Sequence, residues 1–364
     1  MPHHTTRSPA RCLPAVALIG LSLTACSDPS PDGPVHPTQI AAARDVACAR
    51  MSDGTVRCWG RLLSANSLFE RRRLQAHEAV VVPGLASVSH VSVGDGTVCA
   101  LMLGGAVQCT SQIGFIARAR LAADFSAVAG LNDVVQVSAG ADHACARRAS
   151  GALHCWGDNS CGQRGDAAIT ERTPPTQVPS LGAIGQVASG SVRTCAVTSR
   201  GSAICWGSNV GSCSEGRRGR PEALDVAGDV TQISVGASHA CALTARNEVF
   251  CSGANSDGQL GFPAYESPSR PTLVGAAEVA VGADHSCARM MDSTVRCWGA
   301  NDQGQLGTIT RGEDQPDPTP VPSLVGVVEL ALGTGYSCAR LADHSVRCWG
   351  FSFGSAPSGR IVGL

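Results

Sequence analysis

"GADHSCARMMDSTVRCWGANDQGQLG", residues 282–307, holds two cysteines ten positions apart, Cys287 and Cys297, a Trp directly after the second, and a glycine-rich tail. The same spacing recurs in Cys48 and Cys58, Cys99 and Cys109, Cys145 and Cys155, Cys195 and Cys205, Cys241 and Cys251, and Cys338 and Cys348, with 46 to 51 residues between successive first cysteines. A fixed period of this length marks a repeat architecture, so the quoted stretch is a building unit rather than an isolated site. If the two cysteines oppose each other in an antiparallel hairpin, Met51 and Thr55 close the first copy and Ser52-Asp53-Gly54 forms a three-residue loop. Such loops place a left-handed residue third, which suits Gly or Asn. That position holds Gly54, Gly105, Gly151, Gly201 and Asn247, then Ser293 and His344 in the last two copies.

Opposed residues of antiparallel strands lie about 4.5–5.5 Å apart at Cα, within disulfide reach, so the register predicts seven intra-hairpin disulfides. Each would close a short loop and remove unfolded-chain entropy worth roughly 3 kcal/mol. Zinc is the competing reading. Structural zinc usually draws four ligands from closely spaced pairs, whereas here each hairpin offers two and the next pair lies about 50 residues away.

The chain of 364 residues is 43% hydrophobic but only 4% aromatic, with 42 Gly and 20 Pro, a balance that suits many short strands and turns. The fold class expected is all-β. All 28 basic residues are Arg, against 29 acids, and loss of Arg7 and Arg11 with a leader would take the net charge from −1 to −3. A surface without net positive charge argues against a dedicated nucleic-acid binder, whose affinity rests on phosphate neutralisation. The basic clusters Arg71-Arg72-Arg73 and Arg217-Arg218 with Arg220 read as solvated loops.

Residues 1–25 read as an export signal, with Arg7 and Arg11 ahead of the apolar "LPAVALIGLSLTA", which is short for a membrane span. "LTAC", residues 23–26, resembles the lipobox of bacterial lipoproteins, which implies diacylation at Cys26; an ordinary secretory signal with a chance Cys is the alternative. Residues 26–37 then form a lipidated Cys and Pro-rich tether, leaving 38–364 as the folded domain. Ser27 is not the Asp that retains many enteric lipoproteins at the inner membrane, so the expected location is the cell envelope with the outer membrane preferred.

The phrases "GADHACARRASGALHCWGDNSCGQRG" (140–165) and "GASHACALTARNEVFCSGANSDGQLG" (236–261), with the opening stretch, resemble repeats of the regulator of chromosome condensation family. Their shared pattern is Gly-x-x-His-x-Cys-Ala, a hairpin, Cys-Trp-Gly-x-Asn, then Gly-Gln-Leu-Gly. The resemblance covers nearly everything after residue 38 and implies a seven-bladed β-propeller of four-stranded antiparallel blades, matching the seven cysteine pairs. "TQIAAARDVACAR" (38–50) lacks a strand before it and "GRIVGL" (359–364) lacks one after it. The N- and C-terminal strands are therefore expected to share one blade and close the ring.

Most repeated positions have structural readings. Trp59, Trp156, Trp206, Trp298 and Trp349 each follow a second Cys and are expected to pack between blades, with a ligand surface as the alternative. His143, His239 and His285 share one column, read as backbone-satisfying residues, with a metal site near the axis as the sharper alternative. Cys161 and Cys213 break the symmetry and are expected to bond across adjacent blades, or else to remain free or pair between molecules. Other departures are the loops 61–79, 111–124 and 308–320. "GFSFG" (350–354) matches a nucleophile elbow around Ser352, but only ten residues follow it and none is a His.

No cofactor motif appears, and no catalytic or metal residue is assigned. The function expected is binding of a protein or other envelope macromolecule through rim loops, with membrane attachment by the lipid anchor. The alternatives are an envelope enzyme acting on polysaccharide or peptide at the propeller mouth, and a passive surface protein. Family members include a nuclear guanine-nucleotide exchange factor and a secreted β-lactamase inhibitor. An exported chain would not meet a small GTPase, and nucleic acid is not expected as a partner. Peptide mapping under non-reducing conditions should recover the seven hairpin pairs; free thiols at most of those fourteen positions would remove the disulfide framework.

Overall fold

The computed structural model describes residues 33–60, 77–95, 97–110, 125–166, 173–208, 221–263, 271–308, 312–351 and 353–364. These residues form seven four-stranded antiparallel sheets with no helix among them. Residues from Val35 to Leu364 make one compact unit. Blade 1 runs outward from the axis as β1 (Pro37–Ala43), β2 (Val46–Met51), β3 (Val56–Gly60) and β4 (Val80–Val81). The innermost strands of blades 2 to 7 are Val88–Val93, Val134–Ala139, Ile184–Ser189, Val230–Val235, Ala276–Val281 and Val327–Leu332.

The hairpin register is the one the cysteine spacing predicts. Cys48 stands opposite Cys58, Cys99 opposite Cys109, Cys145 opposite Cys155 and Cys195 opposite Cys205. Cys241 stands opposite Cys251, Cys287 opposite Cys297 and Cys338 opposite Cys348. All seven pairs are disulfide-bonded, at Cα separations of 4.0–4.1 Å. These separations are shorter than the 4.5–5.5 Å expected for opposed residues in general. Met51 N–H donates to the Thr55 carbonyl at 2.8 Å, so the alternation of the ladder puts Cys48 and Cys58 at a non-hydrogen-bonded pair, where Cα atoms approach most closely. The third loop residue has positive φ in every copy, from Gly54 (78°) to Asn247 (61°), Ser293 (64°) and His344 (65°). Backbone geometry therefore outranks residue preference in the last two copies, where the bonds Ser293 N–H to Met290 O and His344 N–H to Leu341 O hold the turn.

The core is divided among seven layers, each between two neighbouring blades. Cys48 and Cys58 pack with Val88, Val91 and Val98 of blade 2, whereas Trp59, Ala47 and Met51 pack with Tyr336, Cys338 and Cys348 of blade 7. The other bridges repeat this placement: Cys109 packs with Val134 of blade 3, Cys155 with Ile184 of blade 4, Cys205 with Val230 of blade 5 and Cys251 with Ala276 of blade 6. Successive strand residues thus face opposite neighbours, as a two-residue period requires.

Antiparallel order divides the ring into two faces. The turns between first and second strands and the connections after third strands share one face, and backbone bonds tie them together, for example Asp158 N–H to Asp142 O and Ala300 N–H to Asp284 O. We call it the turn face. The three-residue hairpins and the links to the next blade occupy the opposite, hairpin face, joined by bonds such as Val88 N–H to Gly54 O and Leu103 N–H to Ser87 O.

Ring closure corrects the expectation of a shared blade. Each blade is contiguous in the chain: blade 1 contains β1 to β4, and blade 7 contains Val327–Leu332, Tyr336–Leu341, Val346–Gly350 and Gly354–Arg360. The segment ahead of each Gly-Leu pairs with the second-cysteine strand of its own repeat, as Val80 does with Cys58 and Gly359 with Cys348, so no blade lacks a strand. The termini still meet. Val362 bridges Glu78, its N–H donates to the His77 carbonyl at 2.8 Å, and an Arg57 guanidinium N–H donates to the Gly363 carbonyl. Ile361 is buried in the layer between blades 7 and 1. Removing residues 359–364 should lower the melting temperature by roughly 5–10 °C, from one lost apolar side chain and its strand bonds; an unchanged value would show that this clasp adds nothing.

Candidate functional site

A channel of about 590 Å³ runs along the axis, lined by the innermost strands of all seven blades. Its wall is mainly small residues, among them Ala42, Ser92, Ser138, Ala188, Ser234 and Ala331, with a few aliphatic side chains such as Ile233 and Leu330. Small residues are required because seven strands converge there: a Cβ on Gly190 or Gly236 would collide with the Gly236 or Gly282 carbonyl of the next blade. At the turn-face mouth Arg44 Nε lies 3.8 Å from Asp95 Oδ1. Burial pushes the Asp95 carboxyl up, Arg44 opposes this, and Asp45 and Asp142 add to it. On another part of the same face, burial followed by Asp257 and Asp302 raises Asp284. The described mouth is thus acidic, and no His lines the described channel.

The repeated histidines lie in the seams between blades instead. His143 Nε2 is 2.8 Å from Thr194 Oγ1, His239 Nε2 2.8 Å from Ser286 Oγ, and His285 Nε2 2.9 Å from Ser337 Oγ, each partner belonging to the next blade. Those hydroxyls donate back to the carbonyls of Gln163, Gln259 and Gln305 at 2.8, 3.1 and 2.9 Å. The same three carbonyls accept the indole N–H of Trp206, Trp298 and Trp349 at 2.9, 2.9 and 2.8 Å. The Gly-Gln-Leu-Gly tail of one repeat therefore caps the Trp and hydroxyl of the next. Trp59, Trp206, Trp298 and Trp349 are buried and Trp156 is half-buried, so packing between blades accounts for the column. Where blade 5 has Ser252 in place of Trp, the buried Arg193 of blade 4 reaches across to the Ser252 carbonyl at 3.5 Å. Among the described residues no group of three or more His, Cys, Asp or Glu is placed to hold a metal ion.

A second column escaped the sequence reading. Nine residues before each first cysteine stand Gln39, His90, Gln136, Gln186, Gln232, Glu278 and Glu329. Gln39 accepts the Val91 N–H and donates to the Val91 carbonyl, both at 2.9 Å; Gln136 does the same to Val187, Gln186 to Ile233 and Gln232 to Val279. A carboxylate can only accept. Glu278 takes the Leu330 N–H at 3.1 Å and Arg289 Nε at 3.0 Å, and Glu329 takes the Ile40 N–H at 3.1 Å and Arg340 Nε at 2.8 Å, closing the ring. The signal was present as a lone polar residue recurring in phase inside an apolar strand.

Of the asymmetric features, Cys161 is buried and disulfide-bonded, while Cys213 lies outside the described residues. The loops 61–79 and 111–124 also fall mainly outside, as does Ser352. The chain on either side of Ser352 forms the strands Val346–Gly350 and Gly354–Arg360, not the strand-to-helix turn of a nucleophile elbow. In loop 308–320 the segment Gln315–Pro320 is the outermost strand of blade 6.

Burial holds the imidazoles well below their ordinary range, His90 and His143 at about 4 and His239 and His285 at about 3. Their folded pKa values lie under the unfolded one, so their contribution is complete above pH 6.5 and is lost as pH falls towards 4, at roughly 2 kcal/mol each by pH 5. Glu329, pushed up to about 6 by burial, acts in the opposite sense and offsets about one of them. Guanidinium midpoints should therefore fall between pH 7 and pH 5, and equal midpoints would contradict the seam reading. Ser337→Ala should cost about 1–3 kcal/mol at pH 7 by leaving His285 Nε2 unpaired.

Family comparison agrees with this geometry. The regulator of chromosome condensation repeat matches residues 134–163, 230–259 and 276–305 in one model and 292–340 in another. No curated protein matches the chain. Prp20p from Saccharomyces cerevisiae, whose binding to Gsp1p and histones has been described, is similar in structure at TM-score 0.68 and 17% identity over 82% of this chain and 81% of that one. Human WBSCR16 gives 0.63 and 21% over 81% and 84%. The CRINKLY WD40 ectodomain of the Arabidopsis thaliana receptor kinase ACR4 gives 0.52 and 21% over 88% and 99%. At these identities the likeness is one of fold. With contiguous four-stranded blades and repeat matches in blades 3, 5, 6 and 7, the chain is a seven-bladed β-propeller in which four blades match the regulator of chromosome condensation repeat.

Proposed function

We propose that this chain is an exported, lipid-anchored propeller that binds a protein or another envelope macromolecule through its turn face. The observation that carries the reading is an asymmetry between faces. On the hairpin face every blade repeats a three-residue loop with the same register and the same left-handed third residue. On the turn face the connections after the third strands differ from blade to blade, from residues 61–79 in blade 1 to 351–353 in blade 7. Symmetric positions are used up in seams, so specificity falls to the connections that vary.

Binding of Gsp1p and histones by Prp20p supports a protein-binding use of the fold without supplying the target. The exchange reaction on a small GTPase is not carried over, and neither is nucleic-acid binding. The lipobox-like "LTAC" supports attachment at Cys26 and a place in the cell envelope, with the outer membrane preferred. A disulfide between Cys161 and Cys213 would fasten the turn-face connections of blades 3 and 4 to each other.

Two measurements test the reading. Cys26→Ser should move the protein from the membrane fraction to the soluble fraction, and retention would remove the anchor. A photoreactive residue at Asp257 on the turn face should give a specific adduct in intact cells, whereas one at Ala149 on the hairpin face should not; adducts from Ala149 alone would reverse the assignment of faces.

A further inference from the structure

The first residues of the propeller fix where anything preceding residue 35 joins it. His36 N–H donates to Ser52 Oγ at 3.2 Å, the Ser52 N–H donates to the His36 carbonyl at 2.8 Å, and the His36 ring packs at a tilt against His344, 4.0 Å between centroids. Ser52 and His344 belong to the hairpin loops of blades 1 and 7. The chain therefore enters on the hairpin face, at the seam where the ring closes.

Most exposed apolar side chains of the hairpin face gather around that point, with Val135 of blade 3 outside the group. Leu103 at the hairpin tip of blade 2 is 72% exposed, and Met291 at the tip of blade 6 is 67% exposed. Val325, also 67% exposed, lies in the link between the tips of blades 6 and 7, flanked by the bonds Val327 N–H to Ser293 O and Ala342 N–H to Gly326 O. Val35 is exposed at the entry itself. Blades 6, 7, 1 and 2 thus form an apolar arc centred on the entry. The corresponding tips of blades 4 and 5 present Arg200 and Arg246. None of the large apolar side chains exposed among the described residues lies on the turn face: those outside the hairpin face, Val81, Val274 and Val362, are at the outer edge of the ring.

We infer that the hairpin-face arc of blades 6, 7, 1 and 2 rests on a zwitterionic phospholipid surface rich in ammonium headgroups. This rests on the lipid-anchor reading above. Between the arc's apolar tips stand the carboxylates of Asp53, Asp292 and Asp343, each held by its own loop through Thr55, Thr294 and Ser345 and each with a guanidinium nearby, Arg57, Arg296 and Arg347. Paired carboxylates and guanidinium groups leave the arc without the excess positive charge an anionic surface would select, and the exposed carboxylates can meet ethanolamine ammonium groups while Leu103, Met291 and Val325 enter the boundary with the acyl chains. A few apolar contacts would not hold a free protein. A tether of about nine residues reaches at most roughly 30 Å, however, and it keeps the arc near the surface at an effective concentration on the order of millimolar. The turn face with its acidic mouth then points away from the membrane, where a partner can reach it.

The native chain carries its own reporter. Lipidated protein on phosphatidylethanolamine–phosphatidylcholine vesicles should show oxidation of Met291 by hydrogen peroxide slowed several-fold relative to the soluble Cys26→Ser protein, with partial recovery when phosphatidylglycerol replaces phosphatidylethanolamine. A thiol-linked fluorophore at Met291→Cys should lose roughly half its emission to a lipid-borne quencher, and one at Asp302→Cys almost none. Leu103→Ser with Val325→Ser should relieve the quenching at 291. Protein that floats with the vesicles but shows equal Met291 oxidation in both forms overturns this orientation and leaves the anchor intact. Protein that does not float at all overturns both.

Discussion

Neighbouring blades of this propeller do not share a strand ladder, so every seam needs another way to satisfy the backbone of the innermost strands. The reciprocal clamp between a Gln side chain and the backbone of the next blade supplies it. A primary amide carries a donor and an acceptor in one plane, so Gln39, Gln136, Gln186 and Gln232 each replace both bonds of a missing strand partner. At Glu278 and Glu329 the donor is lost, and an Arg of the same blade, Arg289 or Arg340, balances the charge that burial would otherwise disfavour. His90 breaks the series, with a buried Nδ1 that has no partner.

The clamp explains how the other devices divide the work. The seven hairpin disulfides act within a blade and fix each hairpin, but they do not join one blade to the next. The His–hydroxyl–Gln carbonyl–Trp network acts across seams at larger radius, and it is complete only where the tail of one repeat and the Trp of the next are both present. Blades 5 and 6 supply tails to Trp298 and Trp349, and blade 3 supplies one to Trp206. At the seam that closes the ring, Trp59 Nε1 and Tyr336 Oη are buried without a hydrogen-bond partner, and the apolar layer of Ile40, Phe353 and Ile361 carries that junction instead.

A residue that recurs in phase is therefore evidence of a seam rather than of chemistry. The histidines that a metal reading would place at the axis are spent on hydroxyl groups, and the channel they leave is walled mainly by Ala, Ser and Gly because the strands crowd there. The symmetry is broken on the turn face, where connections vary in length and carboxylates gather at the mouth.

The cysteine spacing alone determined the hairpins, their three-residue loops and their number, because opposing two cysteines ten residues apart sets the antiparallel register and the left-handed position is legible as Gly or Asn in five of the seven copies. The family resemblance added the ring. Three things were decided only by tertiary structure. The strand before each Gly-Leu joins its own repeat, which depends on which neighbour offers a free edge and not on local pattern. The partner of each His lies about 50 residues away, so its role cannot be read from its own repeat. The Gln and Glu column was visible as a polar residue in an apolar strand, but a lone polar residue becomes a clamp only when closure brings the next blade's backbone within 3 Å of it.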